Sequence, residues 1–214
     1  MKSELVFSDV DGTITTVRLG GIKYLVMLVW RRKLSIVTRV WRLFKLVLLA
    51  IRLGWKHWIE RTISFETMFR RLHTNVFQGL AVKECKEIAA KHLNLPFRRN
   101  VLEEIQQRGA VRVAVTASVG DVYEESLRTQ GFDQVFGTTL KVKDGVYTGQ
   151  VLRLVNGDEK AVIVAQMKKD HRTVAYGDSK HDIPMLEAVD EAIAVHPDPT
   201  LAQHAAMHGY QSRM

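Results

Sequence analysis

One cysteine in 214 residues, Cys85, excludes an internal disulfide and points to a reducing compartment. Four prolines, with no Pro/Gly-rich tract, exclude a flexible linker between domains. The longest unbroken apolar runs, Tyr24–Trp30 and Leu46–Ile51, fall far short of the roughly 20 residues a helical membrane span needs. The opening "MKSELVFSDVDGT" reaches acidic residues before any apolar run of sufficient length, so it does not read as a signal peptide. The expected location is cytoplasmic. Between Val40 and Trp58 the chain has no acidic residue at all.

That last absence is part of a charge segregation. Residues 22–61 hold ten of the 31 Lys/Arg and one of the 23 Asp/Glu (Glu60), a net of +9, so the rest of the chain nets −1. All four tryptophans, Trp30, Trp41, Trp55 and Trp58, lie in the same segment. The chain therefore reads as a nearly neutral domain with one basic, aromatic insertion.

Glu4–Val10, Val111–Ser118, Thr173–Asp178 and Glu191–Val195 are short apolar runs, which predict buried strands. Helical patterns cover Phe97–Arg108, Asp121–Thr129, Glu159–Lys169 and Ile183–Val189, and Gly109 closes the first of them. Asp144-Gly145 between alternating apolar residues predicts a hairpin. From about Gly21 to Leu95 the pattern is helical, without a convincing strand. Alternating strands and helices predict an α/β fold with a mostly parallel sheet covered on both faces. Ligands of such sheets sit beyond the carboxyl ends of the strands, which directs attention to Asp9, Thr116 and Asp178.

The first strand ends "SDVDGT". A turn at Gly12 would let Asp9 and Asp11 reach one site, although an Asp-Gly turn for ordinary backbone reasons fits as well. "GDSKHDIPML" places Asp178 at a strand tip and Asp182 at the opening of a helix, where carboxylates also serve as caps. Together the two tips gather three or four carboxylates, whose repulsion is costly without a cation. An oxygen-only ligand set suits Mg2+, commonly bound by one or two carboxylates plus substrate phosphate. Thr116 offers a hydroxyl beside the N–H groups opening the next helix, a favourable place for phosphate. Lys160 can add a point charge, against the plainer reading of a solvated surface lysine. Ser118 reads as a helix cap, His181 as a solvent-facing loop residue and Cys85 as a small core residue.

"DVDGT", "VTAS", the Lys of "GDEK" and "GDSKHDIPML", in that order, resemble the haloacid dehalogenase-like hydrolases, specifically subfamily IB around phosphoserine phosphatase. The resemblance covers roughly 1–20 and 97–200, and the tail "AVHPDPTLAQHAAMHGY" is also similar to bacterial members. It implies a Rossmann-like catalytic core over 1–20 and 97–214, with residues 21–96 as a helical cap inserted after the first strand. It further implies a phosphomonoester hydrolase with Asp9 as nucleophile through an aspartyl-phosphate, and Asp11 as acid and then base. Asp9, Asp178 and the main-chain carbonyl of Asp11 would hold Mg2+, with Asp182 steadying the site. Thr116 and Lys160 would bind the phosphoryl oxygens, and Gly12 would permit the tight turn. Phosphoserine phosphatases read the serine carboxylate and amine with cap Glu and Arg residues. Glu66, Arg70 and Arg71 lie in the corresponding region here, but their spacing does not match.

Trp41, Phe44, Leu48, Ile51, Trp55 and Trp58 recur at steps of three and four, one face of a helix, with Arg39, Arg42, Lys45, Arg52 and Lys56 on another. Two readings carry similar weight: a helix packed into a cap bundle, and an amphipathic helix on an anionic membrane surface through residues 22–61. Nucleic-acid binding is disfavoured, because tryptophans at helical spacing suit lipid or core better than base stacking. The apolar face also suits a second copy of the chain, which leaves the oligomeric state open. The substrate is expected to be a lipid-linked phosphate, as some bacterial members of the family dephosphorylate lipid head groups, or a soluble phosphomonoester. A non-enzymatic lipid- or nucleic-acid-binding protein is the rival class.

Overall fold

The computed structural model describes residues 4–17, 36–108 and 110–214. The chain divides into two compact units, one formed by residues 1–20, 94–138 and 155–214, the other by residues 21–93 and 139–154. The sequence expectation placed the whole of 97–214 in one domain. In the structure the hairpin segment 139–154 groups instead with the helices of 21–93.

The first unit is built on β1 (Glu4–Ser8), β2 (Val111–Val119), the first half of β3 (Gln134–Lys143), β5 (Arg172–Gly177), β6 (Glu191–Val195) and β7 (Gln211–Arg213). Its strands lie in the order β3-β2-β1-β5-β6-β7, and every neighbouring pair is parallel. Both faces are covered, which is why its strands read as continuous apolar runs and not as alternations. Leu5 and Phe7 of β1 join Val113, Val115, Ala175 and Ala194 in one buried cluster, while Val6 between them is fully buried on the opposite face. The helices α4 (Arg99–Gln107), α5 (Gly120–Thr129), α6 (Asp158–Lys168), α7 (Ile183–Glu187) and α8 (Pro199–His208) supply the covering layers. The strand at Gln134–Thr138 and the short, polar β7 carry no apolar run and were not predicted.

The starts of the strands are tied by ion pairs. Arg108 reaches Glu191 at 2.7 Å and Glu4 at 3.8 Å, and Arg172 reaches Glu191 at 2.9 Å and Glu4 at 3.6 Å. The predicted site residues Asp9, Asp178 and Asp182 lie at the other end of the sheet.

The second unit contains α1 (Ile36–Trp58), α2 (Phe65–Phe77), α3 (Val82–His92) and the predicted hairpin, in which Thr139–Lys143 pairs antiparallel with β4 (Val146–Arg153) around Asp144-Gly145. The turn after α2 is stitched to β4 by Gly79 N–H to Tyr147 O and Tyr147 N–H to Leu80 O, both 2.9 Å. Leu53, His73, Phe77, Leu80 and Tyr147 form the buried interior. Glu66 and Arg70 pair with each other at 2.9 Å, and Arg70 also donates to Val151 O, so this arginine is used within the unit.

On α1 the buried residue is Leu53, 4% exposed, whereas Phe44, Leu48, Ile51 and Trp55 are 52%, 49%, 62% and 57% exposed. Of the two readings of this face, packing into a bundle and lying on a lipid surface, the described part from Phe44 to Trp55 is exposed rather than packed. Trp30 and the rest of 18–35, and the side chains of Trp41 and Trp58, lie outside the described residues.

His73 shows what this interior tolerates. It stacks between Phe69 and Phe77, its Nδ1 lies 2.9 Å from Phe69 O, and burial pulls it down to about 4. The neutral ring is favoured in the folded state. Its contribution is thus complete above the unfolded value near 6.5 and is lost as pH falls towards 4. His73→Leu is expected to remove on the order of 3 kcal/mol of acid sensitivity across that window, measured as the difference between the two proteins' urea-unfolding curves at pH 7 and pH 4.5. Parallel pH dependences would refute the assignment.

Candidate active site

Every predicted site residue belongs to the first unit. β1 delivers Asp9, whose N–H donates to Tyr176 O at 3.0 Å and so fixes the tip of β1 against β5. The chain then turns through Val10–Ile14, closed by Thr15 N–H to Val10 O. Gly12 sits at φ +97°, a conformation that favours a residue without Cβ. The turn separates the two aspartates by role. Asp9 is 6% exposed and points into the site, accepting from Lys160 Nζ at 2.6 Å and from Thr13 Oγ1 at 3.0 Å. Asp11 is held instead by Ser118 Oγ at 2.8 Å and Tyr123 OH at 3.4 Å.

At the end of β5, Asp178 and Asp182 are both buried. Asp182 Oδ2 accepts from Asp178 N, Ser179 N and Ser179 Oγ at 3.0–3.1 Å, while its Oδ1 accepts from Lys160 Nζ at 2.6 Å. Gly177 makes room for this fold-back, since a Cβ there would lie 2.5 Å from Asp182 Cβ. Asp182 does not cap the helix it opens; its side chain closes a capping box on the preceding Ser179 turn and also faces the site. Lys160, on the first turn of α6, is 2% exposed and bridges Asp9 and Asp182. A solvated surface lysine is therefore ruled out.

Thr116 is buried in β2 where its register with β3 shifts, and its hydroxyl accepts from Ser118 N at 3.0 Å. Ser118 does not cap α5 as expected. The residue before that helix is Val119, with no side-chain cap, and Ser118 orients Asp11. Sequence reasoning gave no role to Thr13 or Tyr123. Thr13 was in view as the last residue of "DVDGT", whereas Tyr123 reaches Asp11 only through folding across more than 100 residues. His181 is half-buried rather than open to solvent, and burial lowers its pKa.

The electrostatics follow from crowding. Burial pushes the Asp9 carboxyl up to about 7 against the pull of Lys160, and Asp182 and Asp11 add to the rise. Burial disfavours the Lys160 ammonium, but Asp182 and Asp9 outweigh it and hold the lysine above its ordinary range. Burial, followed by the charge of Asp11, raises the Tyr123 phenol, which keeps it a donor.

Carboxylate oxygens of Asp9, Asp178 and Asp182 lie within 4.8 Å of one another, all buried. One of the Asp178 oxygens, Oδ2, receives no hydrogen-bond donor, although the residue makes other interactions. Three hard, anionic oxygens gathered in one buried volume, two of them sharing a single ammonium, fit a small divalent cation of the Mg2+ type.

A family model for haloacid dehalogenase-like hydrolases matches residues 6–187. The chain belongs to this family. Among curated relatives of this haloacid dehalogenase-like hydrolase, a probable phosphatase of Mycobacterium tuberculosis is 34% identical over 103 residues, covering 46% of this chain and 36% of that protein. A phosphoserine phosphatase of Methanocaldococcus jannaschii is 26% identical over 157 residues, 70% of this chain and 74% of the other. A solved protein of unknown function from Bordetella pertussis Tohama I shares the fold with a TM-score of 0.78 at 19% identity, covering 100% of this chain and 99% of that one. The chain spans about half, or less, of the length of several curated relatives it matches.

Removing the ammonium isolates two buried carboxylates. Lys160→Met is expected to lower the unfolding free energy by about 3–5 kcal/mol, read by urea unfolding at pH 7.5. Lys160→Met combined with Asp9→Asn is expected to recover part of that loss. Strict additivity of the two substitutions would show that the pair is not energetically coupled.

Proposed function

We propose that the chain is a Mg2+-dependent phosphomonoester hydrolase that works through an aspartyl-phosphate on Asp9. The observation that carries this reading is the buried cluster of Asp9, Asp178 and Asp182 around Lys160 at the carboxyl end of a parallel sheet. Asp9 and Asp178, with the main-chain carbonyl of Asp11, would hold Mg2+, whose charge offsets the carboxylates and the incoming phosphate.

In the first step a carboxylate oxygen of Asp9 attacks phosphorus and the ester P–O bond breaks. Asp11 passes its proton to the departing oxygen, which leaves as the alcohol. In the second step water attacks the same phosphorus, Asp11 takes up its proton, and the P–O bond to Asp9 breaks to release inorganic phosphate. Lys160 and Thr116 neutralise and orient the phosphoryl oxygens as charge shifts among them. Asp182 keeps Lys160 in place through the 2.6 Å contact, and Ser118 and Tyr123 aim the Asp11 carboxyl.

Purified protein is expected to release phosphate from phosphomonoesters only with Mg2+, and Asp9→Asn to lose turnover by at least about 10³-fold while remaining folded. Release by Asp9→Asn equal to wild type would remove Asp9 from the mechanism.

The open face of α1 favours a substrate presented at a lipid surface. Phe44, Leu48, Ile51 and Trp55 are exposed, and a groove of about 1050 Å³ in the second unit is lined by Leu48, Ile51 and Trp55 together with Lys45, Arg52 and Lys56. No helix among the described residues is long and apolar enough to cross a membrane. This combination suits a helix lying on an anionic bilayer, each cation near the surface contributing about 1 kcal/mol. Co-sedimentation is expected with vesicles rich in phosphatidylglycerol and not with phosphatidylcholine alone. Ile51→Glu with Trp55→Ala should lower it at least about tenfold without changing turnover of soluble esters. No preference for anionic vesicles would leave a soluble phosphomonoester as the substrate.

A further inference from the structure

A second group of metal-ligating side chains lies away from the carboxylate cluster. Glu187 ends α7, and His204 and His208 are one turn apart on α8. One ligand atom from each falls within 4.8 Å of the others. We propose that Glu187, His204 and His208 form a binding site for a divalent cation of the Zn2+ class, distinct from the Asp9 site and independent of the phosphatase reading.

Three features support a built site. His208 Nδ1 lies 2.9 Å from the main-chain oxygen of His204; with its proton donated there, the ring presents the Nε2 lone pair outward. That is the orienting hydrogen bond usual for a ligating histidine. His204 Nε2 stands 3.3 Å from Glu187 Oε1. This is longer than a short charge-assisted hydrogen bond. It is close to the edge of about 3.3–3.4 Å that a tetrahedron with metal–ligand bonds of about 2.0–2.1 Å requires. The two imidazoles lie with ring centroids 4.0 Å apart, and Tyr210 packs edge-on to His204 at 5.5 Å with its OH 3.4 Å from His204 Nε2, a contact that a bound ion would displace.

The supporting backbone is held on its other side. Leu201 and Ala205 of α8 share the buried core cluster with Met185 and Leu186 of α7. The Asp198 side chain accepts from Leu201 N at 2.8 Å at the start of α8. The ligands therefore project from two helices that are already packed together, with Glu187 and His208 exposed enough to close on an ion. Two imidazoles and one carboxylate select Zn2+, Cu2+ or Ni2+ over Mg2+, which takes oxygen ligands. Three protein ligands leave a position for water. A bound ion would fasten α8 to α7, the helix that begins immediately after Asp182.

The test is titration of Zn2+ alone into untagged protein held in excess Mg2+, by calorimetry and by thermal unfolding. Wild type is expected to bind one equivalent with a rise in Tm, and Asp9→Asn to do the same. His208→Ala and Glu187→Gln, whose side chains are exposed, should weaken Zn2+ at least tenfold while keeping the metal-free Tm and the Mg2+-supported turnover. Cu2+ in the same site should show nitrogen coupling from two imidazoles by electron paramagnetic resonance. The proposal is overturned by no Zn2+ uptake, by equal uptake in His208→Ala, by loss of uptake in Asp9→Asn, or by an oxygen-only copper spectrum.

Discussion

A single buried ammonium holds the carboxyl end of the parallel sheet together. Lys160 meets Asp9 and Asp182 at 2.6 Å each, and without it the strand tips of β1 and β5 would oppose carboxylate to carboxylate in a space closed to water. Desolvating any one of these groups alone is costly, and mutual pairing offsets most of that cost only if the geometry is tight. The rest of the first unit supplies that geometry. Asp9 is anchored by its N–H to Tyr176 O, Asp182 by three donors from the Asp178–Ser179 turn, and Lys160 by its place on the first turn of α6.

Lys160 pairs with two of the three carboxylates, and the cluster is still crowded. Asp9 remains well above the ordinary carboxylate range despite the lysine beside it, so the site retains affinity for more positive charge. That residual demand is what a cation would meet, offsetting the carboxylates and an anionic phosphoryl group alike. Asp11, turned towards Ser118 and Tyr123, takes no part in the Lys160 pairing, although its charge still adds to the crowding of Asp9. Two aspartates two residues apart are thus placed in different electrostatic settings by one turn at Gly12.

Much of this was legible in the sequence for a physical reason. Strands buried on both faces leave continuous apolar runs, and the catalytic loops announce themselves by the Asp and Gly that end those runs. Asp9, Asp178, Asp182 and Lys160 could be nominated because charged residues at such places are either caps or functional. The contacts of Ser118 and Tyr123 with Asp11 were not legible, because they join residues over 100 positions apart and no local pattern encodes them. Gln134–Thr138 and β7 were missed because strands with little apolar content give no periodic signal. The surroundings of α1 stayed open between two readings for a different reason: periodicity reports that a helix has an apolar face, not what covers it. The helical amphipathicity of Phe44, Leu48, Ile51 and Trp55 is the same whether that face meets core or lipid.

The two ends of the sheet differ in how freely they can be rewritten. Around the strand starts, Arg108, Arg172, Glu4 and Glu191 lie in a partly exposed lattice in which each charge has more than one partner. Any one pair there can be exchanged for another at small cost, because water and the neighbouring ions cover the loss. At the strand tips no such substitute exists, since Asp9 and Asp182 share the single buried ammonium of Lys160. Sequence drift in descendants of this chain is therefore directed: it accumulates at one edge of the sheet and is refused at the other. The scaffold's ancestry would be erased sooner than its chemistry.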